Sequence, residues 1–251
     1  MTASMMKTGI IGIGSIGSAV ATGLARAGLP VVISRRGAAR STALAAAFAD
    51  ITAAENQSVL DQTGVVFIAL NDDAAAALKP LEFRPDHVVI SLMAGMELAT
   101  LGRLIAPANA RTIMIPFPAI ADGGSPVLVM GDAALVEQIF GQTDSVIPVA
   151  DRGELNAFLA AQAILSPVAV MVSGAAKWAG SHGGDTDKAE RFLRRLIASS
   201  LSGMPSDDLI TALNTPDGYN QRLRQYFEQQ GLSANIDTGL SKLNPPTGKD
   251  V

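Results

Sequence analysis

Through the first 150 residues the apolar positions fall in short unbroken runs, set between glycine-, proline- and alanine-rich stretches. Ile10-Ile11 and the apolar runs within the strand candidates Leu29–Ile33, Gly64–Leu70, His87–Ser91 and Arg111–Ile115 show no polar alternation. A strand wetted on one face alternates, whereas a strand covered on both faces does not, so these runs predict buried parallel strands. Ile51-Thr52-Ala53 is a shorter member of the set. Between them Ser15–Ala27, Gly37–Ala49, Asn56–Thr63, Ala74–Leu78 and Glu97–Ile105 read as helices or helical turns. Gly28 closes the first, and Asn71 or Asp72 is placed to cap the fourth. Val127–Met130 and Ser145–Val149, with a helical Ala133–Phe140 between them, finish the sheet. The alternation predicts an α/β fold: a right-handed, doubly wound, mostly parallel sheet of the Rossmann kind.

From Asp151 onward the pattern is helical. Glu154–Gly180 is apolar on nearly every face, which predicts a buried helix, kinked at Pro167. Its apolar stretch, Leu155–Ala176, has the length of a membrane span. Gln162, Ser166, Pro167 and Ser173 interrupt it, and Glu154, Lys177 and Trp178 flank it, so a buried helix is the preferred reading. Asp185–Leu201 is amphipathic. Ser206–Leu213 follows, with Ser206 as its N-cap. The turn Asn214–Gly218 leads into a helix Tyr219–Gln230, then a last helix near Ser233–Leu243 and a frayed tail from Asn244. The change of texture predicts two domains, 1–150 and 151–251, the second all-helical.

The candidate chemistry begins at the first strand. Gly12, Gly14 and Gly17 have the spacing G-x-G-x-x-G between an apolar run and a helix, the context of a dinucleotide-binding turn. Gly12 permits the turn, Gly14 lets backbone approach a pyrophosphate, and Gly17 allows close helix–strand packing. The helix start, with Ser15 and Ile16, then offers free N–H groups to phosphate. The second strand ends in Ser34-Arg35-Arg36, where an NAD site places a carboxylate for the ribose 2′-hydroxyl. Guanidinium groups suit a 2′-phosphate instead, so the cofactor expected is NADP(H). Ligands of doubly wound sheets lie at the carboxyl ends of the strands, which adds Leu70, Asn71, Ala94 and Gly95 to the cofactor-binding set.

Composition narrows the class. The chain is 48% hydrophobic, carries a net charge of −4 and has no cysteine, which excludes a disulfide scaffold and a catalytic thiol. Mild acidity without a long Lys/Arg run argues against a nucleic-acid surface. No cluster has metal-ligand spacing, so no metal is expected. His87 and His182, the only histidines, read as surface residues. Met1–Lys7 runs directly into the first strand, so no signal peptide is expected and the reading is cytoplasmic.

These motifs together resemble the pyrroline-5-carboxylate reductase family. The likeness is carried by Gly12–Gly17, the strand ending Ser34-Arg35-Arg36, Val88–Gly95, the loop Pro116–Pro118 and the turn Thr215–Gly218. It implies a Rossmann domain followed by a helical dimerisation domain, a homodimer through the C-terminal helices, and hydride transfer from NAD(P)H to a small cyclic imine or carbonyl. In the family a threonine in the late turn bonds the substrate nitrogen. Here Asn220 stands at that place, the bulky Tyr219 precedes it, and Asp217 replaces a glycine. The cofactor half of the pattern survives while the substrate half is rewritten. Tyr219 and Asn220 are the catalytic candidates, Tyr219 as a proton donor and Asn220 as a hydrogen-bond donor. The alternatives are a β-hydroxyacid or F420-linked oxidoreductase on the same fold, and a non-catalytic NADP-binding sensor.

Overall fold

A computed structural model describes residues 7–35 and 38–243. The chain forms two compact units, Met1–Leu155 and Asn156–Val251.

The first unit is built on eight strands: β1 (Thr8–Ile11), β2 (Val31–Ser34), β3 (Ile51–Ala54), β4 (Val65–Ile68), β5 (Val88–Ser91), β6 (Asn109–Pro116), β7 (Pro126–Gly131) and β8 (Ser145–Val149). They lie in the order β3-β2-β1-β4-β5-β6-β7-β8. The pairs from β3 to β6 are parallel; β7 runs antiparallel to β6, and β8 is parallel to β7. The intervening helices are α1 (Ser15–Arg26), α2 (Ala38–Ala47), α3 (Asn56–Gln62), α4 (Leu98–Leu104) and α5 (Ala133–Phe140).

Successive strand residues feed two cores, which is why the runs do not alternate. Ile10, Ile33, Phe67 and Ile90 pack with Val20 and Leu24 of α1 and Val136 and Phe140 of α5. Ile11, Val32, Val66, Ile68 and Val89 pack with Val59 and Leu60 of α3 and Leu101 of α4. The central strands β1, β2, β4 and β5 are therefore covered on both faces.

Three local expectations are corrected. His87 is buried, not on the surface. Its Nδ1 accepts the Arg84 N–H at 3.0 Å and its Nε2 donates to Leu60 O at 3.0 Å. Arg84 donates to the same Leu60 carbonyl, which also accepts the Thr63 N–H, and to Thr63 O, so the two side chains tie down the end of α3. The segment after β4 is a 3-10 helix, Asp72–Leu78, and Asn71 makes no side-chain cap; so short a stretch closes as the tighter turn. Ser206 is not an N-cap, because Pro205 holds that position.

In the second unit, α6 (Arg152–Ala161), which begins in the first, is followed by a 3-10 turn at Gln162–Ile164 and by α7 (Leu165–Ser181). Pro167 has no N–H for the carbonyl of Ala163 and its ring crowds it, so the tightened turn sits one turn before the proline. Then come α8 (Thr186–Gly203), α9 (Ser206–Ala212), α10 (Tyr219–Gln229) and α11 (Leu232–Leu243). The expectation that Glu154–Gly180 is buried does not hold within one chain. Leu165 is 69% exposed, Val170 68% and Trp178 64%. Among the described residues from 156 to 243, Ala176 alone is buried. The stretch Arg152–Ser181 has the length and apolarity to cross a membrane, and little of it is covered by the chain itself.

Candidate functional site

The strand order reverses direction at β1, whose neighbours are β2 and β4. Ligands of doubly wound sheets bind at the carboxyl ends beside such a switch point. The glycine turn occupies it. Gly12 has φ +102°, and a Cβ there would lie 2.4 Å from Ala69 O, so only glycine fits. A Cβ on Gly17 would lie 2.1 Å from Gly12 O, so the helix is held against its own strand by the lack of a side chain. Gly14 is different: nothing lies within 4 Å of the place its Cβ would take. Its bareness serves no protein contact and leaves the approach to the helix start clear.

That helix start is electrically open. Gly14 is the N-cap of α1 and supplies no side-chain cap, and the first turn holds no acidic residue. The positive end of α1 and its free N–H groups, at Ser15, Ile16 and Gly17, are available to an anion. Ser15 is exposed and Ile16 half-buried.

Two cavities flank the turn along the strand ends. On the β2–β3 side, a cavity of about 480 Å³ is lined by Arg35, Glu55, Asn56, Gln57 and Leu81. The Arg35 guanidinium donates to Ala53 O at 3.3 Å and lies 3.8 Å from a Glu55 carboxylate oxygen. Asn56 Oδ1 is buried without a hydrogen-bond partner, an open acceptor in the wall of this cavity. Ser34, expected here, does not line it. Ser34 ends a strand paired on both sides, is 1% exposed, and its hydroxyl has no partner. Arg36 lies outside the described residues.

On the β4–β5 side, a cavity of about 560 Å³ is lined by Leu70, Asn71, Asp73, Leu92, Met93, Ala94 and Gly95. Leu70, Asn71, Ala94 and Gly95, which the strand ends predict as cofactor-binding, thus line one cavity. Arg152 supports its wall. It donates to Ala94 O, to Met96 O at 2.9 Å, and meets a Glu97 carboxylate oxygen at 3.3 Å. One guanidinium thus holds the turn after β5 by two main-chain carbonyls and a side chain.

Tyr219 and Asn220 stand in the second unit, at the first two positions of α10. Tyr219 is 89% exposed. The preceding turn keeps a glycine-like backbone without glycine, since Asp217 has φ +59°; aspartate tolerates that region better than most residues. The turn is tied to its helix: Asp217 N–H donates to Gln221 Oε1 at 3.0 Å, and Gln221 and Arg224 both donate to Asn214 Oδ1.

Reading strand ends in the sequence missed Glu55 and Asn56. They follow β3, whose run is short and broken by Thr52. Arg152 left no signal, since it acts 56 to 58 residues away in sequence.

Residues 7–95 match the model of a family described as NADP oxidoreductase coenzyme F420-dependent. Comparison with curated proteins gives no match. Among solved structures, 1-pyrroline-5-carboxylate reductase from Streptococcus pyogenes superposes with a TM-score of 0.77 at 23% identity, over 95% of this chain and 98% of that one. The pyrroline carboxylate reductase of Plasmodium falciparum, solved with NADP bound, gives 0.78 at 14% identity, over 96% of each chain. A reductive aminase from Aspergillus terreus, in complex with NADPH and ethyl levulinate, gives 0.57 at 19% identity, over 98% of this chain and 91% of that one. The chain has the fold of the pyrroline-5-carboxylate reductases.

The Arg152 clamp is testable in the unliganded protein. Hydrogen bonds to a charged group are worth roughly 1.5–3 kcal/mol each. Arg152→Met is expected to speed amide exchange over residues 94–97 at least about tenfold while the β1 and β4 amides keep their protection. Unchanged exchange over 94–97 would show that the clamp holds nothing.

Proposed function

We propose that this chain, on the pyrroline-5-carboxylate reductase fold, is an NADP(H)-dependent reductase that transfers a hydride to a small cyclic imine such as pyrroline-5-carboxylate or a related compound. The observation that carries the reading is the uncapped start of α1 behind Gly14, with a guanidinium at the neighbouring strand end. The residues present fit a phosphorylated dinucleotide. Gly14–Gly17 offer N–H groups to a pyrophosphate, and Arg35 offers a cation to a 2′-phosphate. The open Asn56 acceptor suits a ribose hydroxyl or an adenine amine. Leu70, Asn71, Ala94 and Gly95 wall the far end, where Arg152 holds the turn in place. NADP(H), when bound, supplies the hydride. The protein's own part is then position and a proton.

For the proton, Tyr219 carries an ionisable O–H, whereas Asn220 can donate a hydrogen bond but not act as an acid. Its exposure in the single chain is consistent with a group that meets its substrate from the surface of α10.

The second unit supports a homodimer. A helical segment with one buried residue has no core of its own. Between α7 and α10–α11 lies a groove of about 490 Å³, lined among others by Ile164, Val168, Met171, Phe227, Ile236 and Leu240. Burying one such side chain is worth roughly 1.5–3 kcal/mol. A second copy presents the same exposed apolar helices, and a two-fold interface would cover both sets at once.

The family match over residues 7–95 favours a second reading, an oxidoreductase that passes hydride to a deazaflavin. One assay separates the two. NADPH oxidation is followed with cyclic imines, 2-oxo acids, aldehydes and a deazaflavin as acceptors. Turnover of a cyclic imine is expected; turnover of the deazaflavin alone would overturn the imine reading. On the accepted substrate, Tyr219→Phe is expected to lower kcat about 10²–10⁴-fold with NADPH affinity unchanged. A silent Tyr219→Phe beside a damaging Asn220→Ala would move the role to Asn220.

In light scattering at micromolar concentration without detergent, the chain is expected at twice its monomer mass. A well-folded monomer, or a protein that needs detergent or vesicles to stay in solution, would contradict the dimer.

A further inference from the structure

The cavity beside β2 and β3 holds a carboxylate as well as a guanidinium. Glu55 follows β3 directly, and its carboxylate lies 3.8 Å from Arg35 Nη1. Both side chains are largely exposed, so the pair is not locked by packing. Neither is required elsewhere in the fold. Glu55 is the N-cap of α3, yet its side chain makes no cap hydrogen bond. Arg35 has one other bond, from Nη2 to Ala53 O. The carboxylate therefore has one charged neighbour in this cavity among the described residues, and that neighbour is the cation proposed to meet a 2′-phosphate.

We infer that Glu55 is a specificity-determining residue that competes with the 2′-phosphate for Arg35. The inference rests on the NADP(H) reading above. The argument is one of charge. A guanidinium has five N–H donors but one unit of charge. In the unliganded chain Glu55 neutralises part of it. A 2′-phosphate entering the cavity brings close to two negative charges. It gains Arg35 and at the same time faces the Glu55 carboxylate. The ribose hydroxyl of NADH faces the same carboxylate without charge repulsion. Glu55 thus narrows the preference for NADPH that Arg35 creates. It also weakens the hold on the oxidised product, which keeps the same phosphate.

The magnitude is modest. An exposed pair contributes little by itself and is screened by salt. The larger part is repulsion between the carboxylate and the phosphate across a solvated cavity. Together these correspond to about three- to tenfold in affinity at low ionic strength.

The experiment is calorimetric titration of the full chain with NADPH and with NADH, for the wild type, Glu55→Gln and Arg35→Ala. Glu55→Gln keeps the size and one acceptor oxygen while removing the charge. It is expected to tighten NADPH about three- to tenfold, to leave NADH unchanged, and to lose most of its effect at high salt. Arg35→Ala is expected to weaken NADPH and to erase the effect of Glu55→Gln in the double variant. Unchanged or weaker NADPH binding by Glu55→Gln overturns the inference. If Arg35→Ala still weakens NADPH in that case, the cofactor reading stands and only the competition fails. If the wild type binds neither dinucleotide, both fail. A selective loss of NADH affinity in Glu55→Gln assigns the carboxylate to a ribose hydroxyl and also overturns the competition.

Discussion

Everything at the site depends on the contact between the carbonyl oxygen of Gly12 and the bare Cα of Gly17. That contact leaves no room for a Cβ, which would come within 2.1 Å of the oxygen. It presses the first turn of α1 onto the end of β1 and so aims the helix start at the switch point of the sheet. The aim is what gives the N–H groups of Ser15, Ile16 and Gly17 a use. A helix dipole acts over its first turn only, so a small change in where the helix begins would waste it. The two cavities at the flanking strand ends are useful because the turn between them is fixed.

The sheet was legible in the sequence because its physics is local. A strand covered on both faces must be apolar at every position, and each run from Ile10 to Ile115 says so without help from distant residues. The glycine turn was legible for the same reason. What escaped depends on pairing across the chain. His87 sits beside charged Arg84 and Asp86 in sequence, yet it is buried, with its ring bonded to the Arg84 N–H and to the Leu60 carbonyl at the end of α3. Ser34 looked like a ligand by its place after the strand. Pairing of β2 on both edges takes it inside. Glu55 and Arg152 act on residues brought near by the sheet and by the turn after β5, and no local pattern announces such contacts.

The helical half shows the opposite case. The helices from Thr186 onward agree with the periodicity within a few residues, whereas the stretch expected as one kinked helix over Glu154–Gly180 is α6 and α7 joined by the 3-10 turn at Gln162–Ile164. Their apolarity predicts burial, and the chain by itself does not supply it. Hydropathy reports that a surface must be covered; it does not say by what. The homodimer proposed above would meet that requirement by seating a second copy of the same helices in the groove between α7 and α10–α11.

The central claim is that a dinucleotide seats on the start of α1 with its 2′-phosphate at Arg35. Amide chemical-shift mapping on isotope-labelled protein tests it most directly. Addition of NADPH is expected to move the amides of Gly14, Ser15, Ile16 and Gly17 most strongly, together with Arg35 and Asn56. NADH is expected to reproduce the glycine-turn shifts while leaving Arg35 nearly in place. Saturating NADPH that leaves Gly14–Gly17 unmoved would contradict the account.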